Sequence, residues 1–204
     1  MTEEAPARDG VTVAPTADVD VRADIGAGTR IWHLAQIRED ASVGRDCNIG
    51  RGAYVGPGVV VGDNVKLQNY ALVYEPARLA DGVFVGPAAV LTNDEYPRAV
   101  TADGRLKSGH DWTAVGVTVG EGAAIGARAV CVAPVTVGRW ALVAAGAVVT
   151  KDVPDFALVV GVPARRVGWV GRAGRPLAAK GGGTWVCPET GAEYTETDGR
   201  LTEN

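Results

Sequence analysis

The sequence predicts an all-β fold, a solenoid of short parallel strands wound as a prism. Three observations carry the prediction: a six-residue aliphatic register, small residues two places before each aliphatic one, and 28 glycines in 204 residues, about twice the ordinary share. Aromatic residues make up only 6%.

The register starts at Val13 and runs through Val19, Ile25, Ile31, Ile37, Val43, Ile49, Val55, Val61, Leu67, Val73, Leu79 and Val85 to Leu91. All fourteen positions are aliphatic and eleven are β-branched. Two places earlier stand small or medium residues such as Ala23, Ala35, Cys47, Ala53 and Ala71. Residues i−2 and i of an extended segment point to one side, so each repeat sends an apolar pair inward. The chain must then bend. Gly26, Gly44, Gly50, Gly56, Gly62 and Gly86 follow the aliphatic residue, where positive φ would suit a sharp turn. A period of six does not hold one face of a helix, which excludes an amphipathic helix.

The register stops after Leu91 and resumes at Val119, Ile125, Cys131, Val137, Val143 and Val149. The 28-residue gap is four repeats plus four, so residues 92–116 loop out of the solenoid. Twenty repeats, three to a coil, give about seven coils and a prism on the order of 30 Å long. Three regions follow: a flexible tail at 1–10, the solenoid at 11–170 with its insertion, and an extension at 171–204. In the extension, TWVCPETGAEYTE reads as a small hairpin. Cys187 in CPETG has no neighbouring cysteine, so a four-ligand metal site is rejected there. Cys47 and Cys131 fall on inward positions and read as core residues.

Net charge and topology exclude several classes. A charge of −4 and a pI near 5.2 argue against coating nucleic acid. No apolar run is long enough to cross a membrane as a helix. The opening MTEEAPARDG lacks the basic start and apolar core of a secretory signal, so the expected location is the cytoplasm.

Positions 18 apart stack on one edge of the prism. One edge gathers Trp32, Gly50, Gln68 and Gly86 with His33, Arg51, Asn69 and Pro87 beside them. A second gathers Arg38, Gly56, Tyr74 and Thr92 with Glu39, Pro57, Glu75 and Asn93. The third is nearly bare, with Gly26, Gly44, Gly62 and Ala80. A featureless rod has no need of that asymmetry.

The hexapeptide pattern over residues 11–170 resembles the left-handed parallel β-helix of the hexapeptide-repeat acyltransferases. The left hand is implied by the resemblance alone, since parallel crossovers ordinarily turn right. IWH at 31–33, LQN at 67–69, VYE at 73–75, VFVGPAAVLTNDEYPRA at 83–99 and KDVPDFALVVGVPARRVGW at 151–169 are similar to the sugar-nucleotide 3-N-acetyltransferases. That resemblance implies a homotrimer with acetyl-CoA along the groove between chains and a UDP- or dTDP-linked 3-amino sugar under the insertion. From charge, hydropathy and ligand count, no metal, nucleic-acid or membrane partner is expected.

The resemblance makes Asn93 a ligand of the reacting amino sugar; the plainer alternative is a turn cap. His33 and His110 are the only histidines. Either is a candidate base, or His33 binds or packs, and Glu75 is a third candidate proton acceptor. A free amine needs less help than a hydroxyl, so positioning can supply most of the rate. Trp32, Gln68, Asn69, Tyr74 and Tyr96 are implied substrate contacts, and Arg98 pairs with a phosphate or is an ordinary loop arginine. Ala144, Gly146 and Pro163 are implied CoA contacts. Lys151, Arg165 and Arg166 either meet its phosphates or form a solvated cluster. A zinc-dependent γ-class carbonic anhydrase needs three histidines per site, and an ice-binding face needs a threonine array; neither fits. Acceptors such as a 4-amino sugar or a small hydroxyl compound remain alternatives.

Overall fold

The computed structural model describes residues 10–204, so the expected N-terminal tail lies outside it except for Gly10. The described residues form no helix. Three parallel sheets make the faces of a prism. The first face stacks Thr12–Val13, Arg30–Ile31, Asn48–Ile49, Lys66–Leu67, Phe84–Val85, Ala124–Ile125, Leu142–Val143 and Ala157–Val160. The second stacks Asp18–Val19, Gln36–Ile37, Tyr54–Val55, Leu72–Val73, Val90–Leu91, Val130–Cys131 and Val148–Val149. The third stacks Asp24–Ile25, Ser42–Val43, Val60–Val61, Arg78–Leu79, Val117–Val119 and Val135–Val137.

The register is 18 residues through the first five coils, as in Ile31 beside Ile49 and Val73 beside Leu91. Across the insertion Leu79 pairs with Val119, which keeps the inward set inward. A last, tighter coil pairs Leu142 with Leu158 and Val137 with Val153, taking the solenoid past the twenty repeats legible in the sequence. This stack of parallel coils is consistent with the left-handed β-helix that the resemblance implies.

From Ile25 onward every register position is buried. Val13 departs from expectation at 40% exposed, and Val19 is only half-buried. They sit on the first coil, where one side of the core has no described coil packed against it. Thr29 is the buried polar residue of the stack. Its hydroxyl donates to the Gly44 carbonyl at 2.8 Å and accepts from the Cys47 amide at 3.0 Å, so its burial costs little. Burial pushes the Cys131 thiol up to about 12, as suits an inert core residue.

The edge glycines differ from expectation. Gly26, Gly44, Gly50, Gly62 and Gly86 do not carry the positive φ. That conformation falls two residues later, at Gly28, Leu34, Asp40, Asp46, Gly52, Gly58, Asn64 and Tyr70. The earlier glycines are there for room. A Cβ on Gly26 would lie 2.6 Å from the Gly44 carbonyl carbon, and one on Gly44 would lie 2.6 Å from that of Gly62. At these glycines the adjacent coil lies too close for a Cβ, and only a hydrogen fits.

The bare third edge is stitched by side chains. Asp63 Oδ1 accepts from the Arg45 amide at 2.7 Å, and Asp81 Oδ1 from the Asp63 amide at 2.8 Å. Beyond the last coil, Arg165–Trp169 folds back antiparallel on Ala157–Val160. The expected hairpin, Thr184–Val186 with Glu193–Thr197, is present but belongs to a larger four-stranded sheet with Ala178–Gly181 and Arg200–Glu203. Tyr194 from that sheet meets Phe156 edge-on at 5.5 Å between rings, so the sheet shares a core with the final coil.

Candidate functional site

The edge between the first and second faces holds an open hollow of about 260 Å³. It is lined by Trp32, His33, Asn48, Gly50, Arg51, Gln68 and Asn69. The structure thus brings together four of the expected residues, Trp32, His33, Gln68 and Asn69. Polar groups there are already engaged. The Trp32 indole N–H donates to Asn48 Oδ1 at 2.6 Å, Asn69 Oδ1 accepts from the Arg51 amide at 3.0 Å, and His33 Nδ1 lies 2.9 Å from Thr16 Oγ1. If the Thr16 hydroxyl donates, His33 keeps its proton on Nε2 and is not a base toward the hollow; the other tautomer would leave Nε2 free to accept.

The edge between the second and third faces is different. Glu75 Oε2 is buried and makes no hydrogen bond. It lies over Gly56, where a side chain would occupy its place. The Tyr54 and Tyr74 rings meet at a 46° tilt beside it, 5.0 Å between centroids. Burial, then the Glu75 charge, push the Tyr54 phenol above its ordinary value, against the pull of Arg38. Tyr54 therefore stays protonated. Arg38 is held by Glu39 through two hydrogen bonds, at 2.7 and 3.0 Å.

By the 18-residue register that pairs Val73 with Leu91, Asn93 corresponds to Glu75 on the coil below, at the point where the chain leaves the prism. Its carbonyl accepts from the Val115 amide at 3.0 Å, which closes the neck of the insertion. Thr92 Oγ1 accepts from the Ala133 amide at 3.0 Å and fixes the other side of that neck. The Asn93 side chain makes no hydrogen bond among the described residues. The insertion is braced by Arg105 on Asp111, at 2.6 and 3.1 Å, and that pairing holds the Asp111 carboxyl well below its usual range.

Tyr96 and Arg98 are not brought to this cluster. Tyr96 is 76% exposed, and the Arg98 guanidinium donates to the neighbouring Pro97 carbonyl at 2.8 Å. His110 is exposed as well. Lys151, Arg165 and Arg166 do converge, around a hollow of about 250 Å³ at the last coil. Arg166 is partly engaged there, 3.3 Å from Glu196 and 4.1 Å over the Trp169 ring. Ala144 and Gly146 lie on the late first edge, their amides donating to Val159 and Ala127 carbonyls at 2.9 and 2.8 Å. Pro163 sits exposed in the turn after Ala157–Val160. Asn48 and Tyr54 are not among the residues expected from the sequence. They are outward residues of strands rather than turns, and stacking the strand positions as well as the turns would have found them. Among the described residues no group of three metal-ligating side chains converges, and no helix is long and apolar enough to cross a membrane.

Residues 22–57 match the family model for the bacterial transferase hexapeptide (six repeats), and residues 116–151 that for the hexapeptide repeat of succinyl-transferase. The chain is 54% identical over 52 residues to a dTDP-3-amino-3,6-dideoxy-alpha-D-galactopyranose 3-N-acetyltransferase of Aneurinibacillus thermoaerophilus, covering 26% of this chain and 27% of that protein. It is 38% identical over 159 residues to the bifunctional protein GlmU of Nitratidesulfovibrio vulgaris, covering 77% of this chain and 30% of that one. It thus spans under a third of the length of these relatives. Among solved structures it is similar to LpxA, a UDP-N-acetylglucosamine acyltransferase from Bacteroides fragilis. The TM-score is 0.63 at 18% identity, covering 79% of this chain and 62% of that one, a likeness of fold. The six-residue register on both sides of the insertion, the stacked coils it builds and both matching models together mark residues 22–57 and 116–151 as hexapeptide repeats.

Proposed function

We propose that this chain is an acetyl-CoA-dependent N-acetyltransferase whose acceptor is the 3-amino group of a UDP- or dTDP-linked sugar. The observation that carries the reading is the buried, unpartnered Glu75 carboxylate oxygen, which the 18-residue register matches to Asn93 at the neck of the insertion. A buried carboxylate oxygen without a donor is costly, and an incoming amine supplies the missing donor. The local 54% identity to a 3-N-acetyltransferase of a dTDP-linked amino sugar supports the same acceptor class.

In this reading Asn93 and Glu75 hold the amine with its lone pair toward the thioester carbonyl. The C–N bond forms, a proton passes from the nitrogen to Glu75, the C–S bond breaks, and the CoA sulfur leaves as thiolate and takes a proton. Tyr54, kept protonated, is a donor beside Glu75. Trp32, Gln68 and Asn69, on a different edge from Glu75, contact the sugar nucleotide from a neighbouring chain of the trimer. Tyr96 and Arg98 would join them only if the insertion closes over bound substrate. Ala144, Gly146 and Pro163 line the CoA path, with Lys151, Arg165 and Arg166 toward its phosphates. The hollows of one chain are shallow, a few hundred Å³ each. That supports a homotrimer whose sites form between chains.

The test offers the protein acetyl-CoA with matched panels of 3-amino and 4-amino sugar nucleotides and follows free thiol. Thiol release with 3-amino acceptors, at least about tenfold above 4-amino ones, is expected. Release only with 4-amino sugars, or with none of the panel, overturns the reading.

A further inference from the structure

On the first face, Arg30, Asn48 and Lys66 are successive rungs of one parallel ladder. They line a hollow of about 420 Å³ with Gly28, Trp32, Asp46 and Cys47. It adjoins the first-edge hollow, with which it shares Trp32 and Asn48. Arg30 and Lys66 are exposed, and neither makes an ion pair or side-chain hydrogen bond among the described residues. Their strands lie two rungs apart, roughly 9.6 Å, within reach of each other's long side chains over Asn48. The Trp32 ring is pinned by its 2.6 Å hydrogen bond to Asn48 and still 48% exposed. The one acid of the hollow, Asp46, folds back over Gly28.

We propose that this face is a nucleoside diphosphate site, in which Arg30 and Lys66 hold the diphosphate and the exposed Trp32 indole carries the base. The proposal rests on the sugar-nucleotide reading above and assigns the nucleotide end of that substrate. Two unpaired cations next to a rigid aromatic face match the two halves of such a ligand, an anion and a flat ring. Covering these cations with an apolar protein surface would strip their water without return, so a multiply charged anion is the better occupant. The same chemistry occurs in the sugar nucleotide and in the nucleotide portion of CoA. The assignment is to the sugar nucleotide, because the hollow opens toward Trp32, Gln68 and Asn69 and lies on early coils, away from Lys151 and Arg165.

The experiment titrates the full chain calorimetrically with dTDP, UDP, thymidine and CoA, in wild type and in R30A/K66A. Melting curves confirm that the exposed substitutions leave the fold intact. The double variant should bind dTDP or UDP at least about 30-fold more weakly, bind CoA within twofold of wild type, and lose the preference for dTDP over thymidine. R30K/K66R should restore most of the affinity, and Trp32→Ala should weaken dTDP and thymidine alike. Unchanged dTDP and UDP affinity in R30A/K66A overturns the site, as does wild type that binds neither. Loss of CoA rather than dTDP affinity overturns the assignment to the sugar nucleotide. The two readings fail separately. Acetylation of an amino-sugar nucleotide with KM unchanged in R30A/K66A removes this site and leaves the reaction. Nucleotide binding through Arg30 and Lys66 without acetylation of any amino sugar removes the reaction and leaves the site.

Discussion

The first and second edges of the prism are built from the same repeat at the same coils, yet they hold polar groups in opposite ways. Along the first edge Trp32, His33 and Asn69 are open to solvent and have found partners in Asn48, Thr16 and Arg51. Along the second, Glu75 is tucked over Gly56 with one oxygen buried and unmatched, and Asn93 leaves its amide free. A satisfied, exposed group gains little by meeting a ligand, because it exchanges one partner for another. An unsatisfied buried one gains the whole of what it lacks. The difference separates a surface suited to holding a substrate from a point suited to acting on it.

The largest effects should therefore fall on the second edge. Asn93→Ala is expected to lower kcat/KM on the order of 100-fold or more, and Glu75→Gln by a similar factor, with CoA affinity nearly unchanged. Steady-state kinetics beside a CoA titration check this. Near-normal turnover in Asn93→Ala would erase the distinction between the edges.

Next in size is the matching change on the first edge. His33→Asn should cost less than about tenfold in kcat/KM and leave the pH profile of kcat in place. A lost alkaline or acidic limb would make His33 the base and move the chemistry to the other edge.

A steric pair sharpens the comparison without touching a polar group. Gly56→Ala puts a methyl where Glu75 sits, 2.9 Å from its backbone nitrogen. It should cost about 1–3 kcal/mol of stability and much of the activity. Gly58→Ala meets nothing within 4 Å but holds φ at 62°, so about 1–2 kcal/mol of backbone strain and normal kinetics are expected. Denaturant melts and kcat/KM on both variants decide it; equal activity loss would mean that displacing Glu75 is not the cause.

The smallest effect lies at the end of the solenoid. The Glu196 carboxyl is held below its ordinary value by the Trp169 indole, which faces it outside hydrogen-bond geometry, and then by Trp185 at 2.9 Å and Arg166 at 3.3 Å. A lowered carboxylate pKa stabilises the fold above the unfolded value, near 4.5. That contribution fades as pH falls through the folded value. Hydrogen-exchange protection in 178–203, taken relative to unstructured amides, should fall below about pH 4.5 before protection in the coils does, and Glu196→Gln should lessen that pH dependence.

Much of this was legible beforehand because the repeat is local. The spacing alone sends the register positions from Ile25 to Leu91 inward, and the insertion announces itself as a break in that spacing. Stacking by 18 also sets Glu75 and Asn93 at equivalent places on successive coils. Asn48, Lys66 and Tyr54 were passed over because a strand's outward residues look like ordinary surface until neighbouring rungs are read together. The four-stranded terminal sheet was read as one hairpin, since Ala178–Gly181 carries no alternation of apolar and polar residues.

The sequence by itself determined the coil, its inward set, its three edges and the point where the insertion leaves, because each follows from a fixed spacing along the chain. Tertiary structure decided why the edge glycines are there, which polar groups are satisfied and which are not, and where Tyr96 and Arg98 lie. Those depend on distances between coils and within a non-repeating loop, and spacing along the chain does not set them. Gly56 shows the division: its place in the repeat was plain from the sequence, while the carboxylate resting on it belongs to a residue 19 positions away.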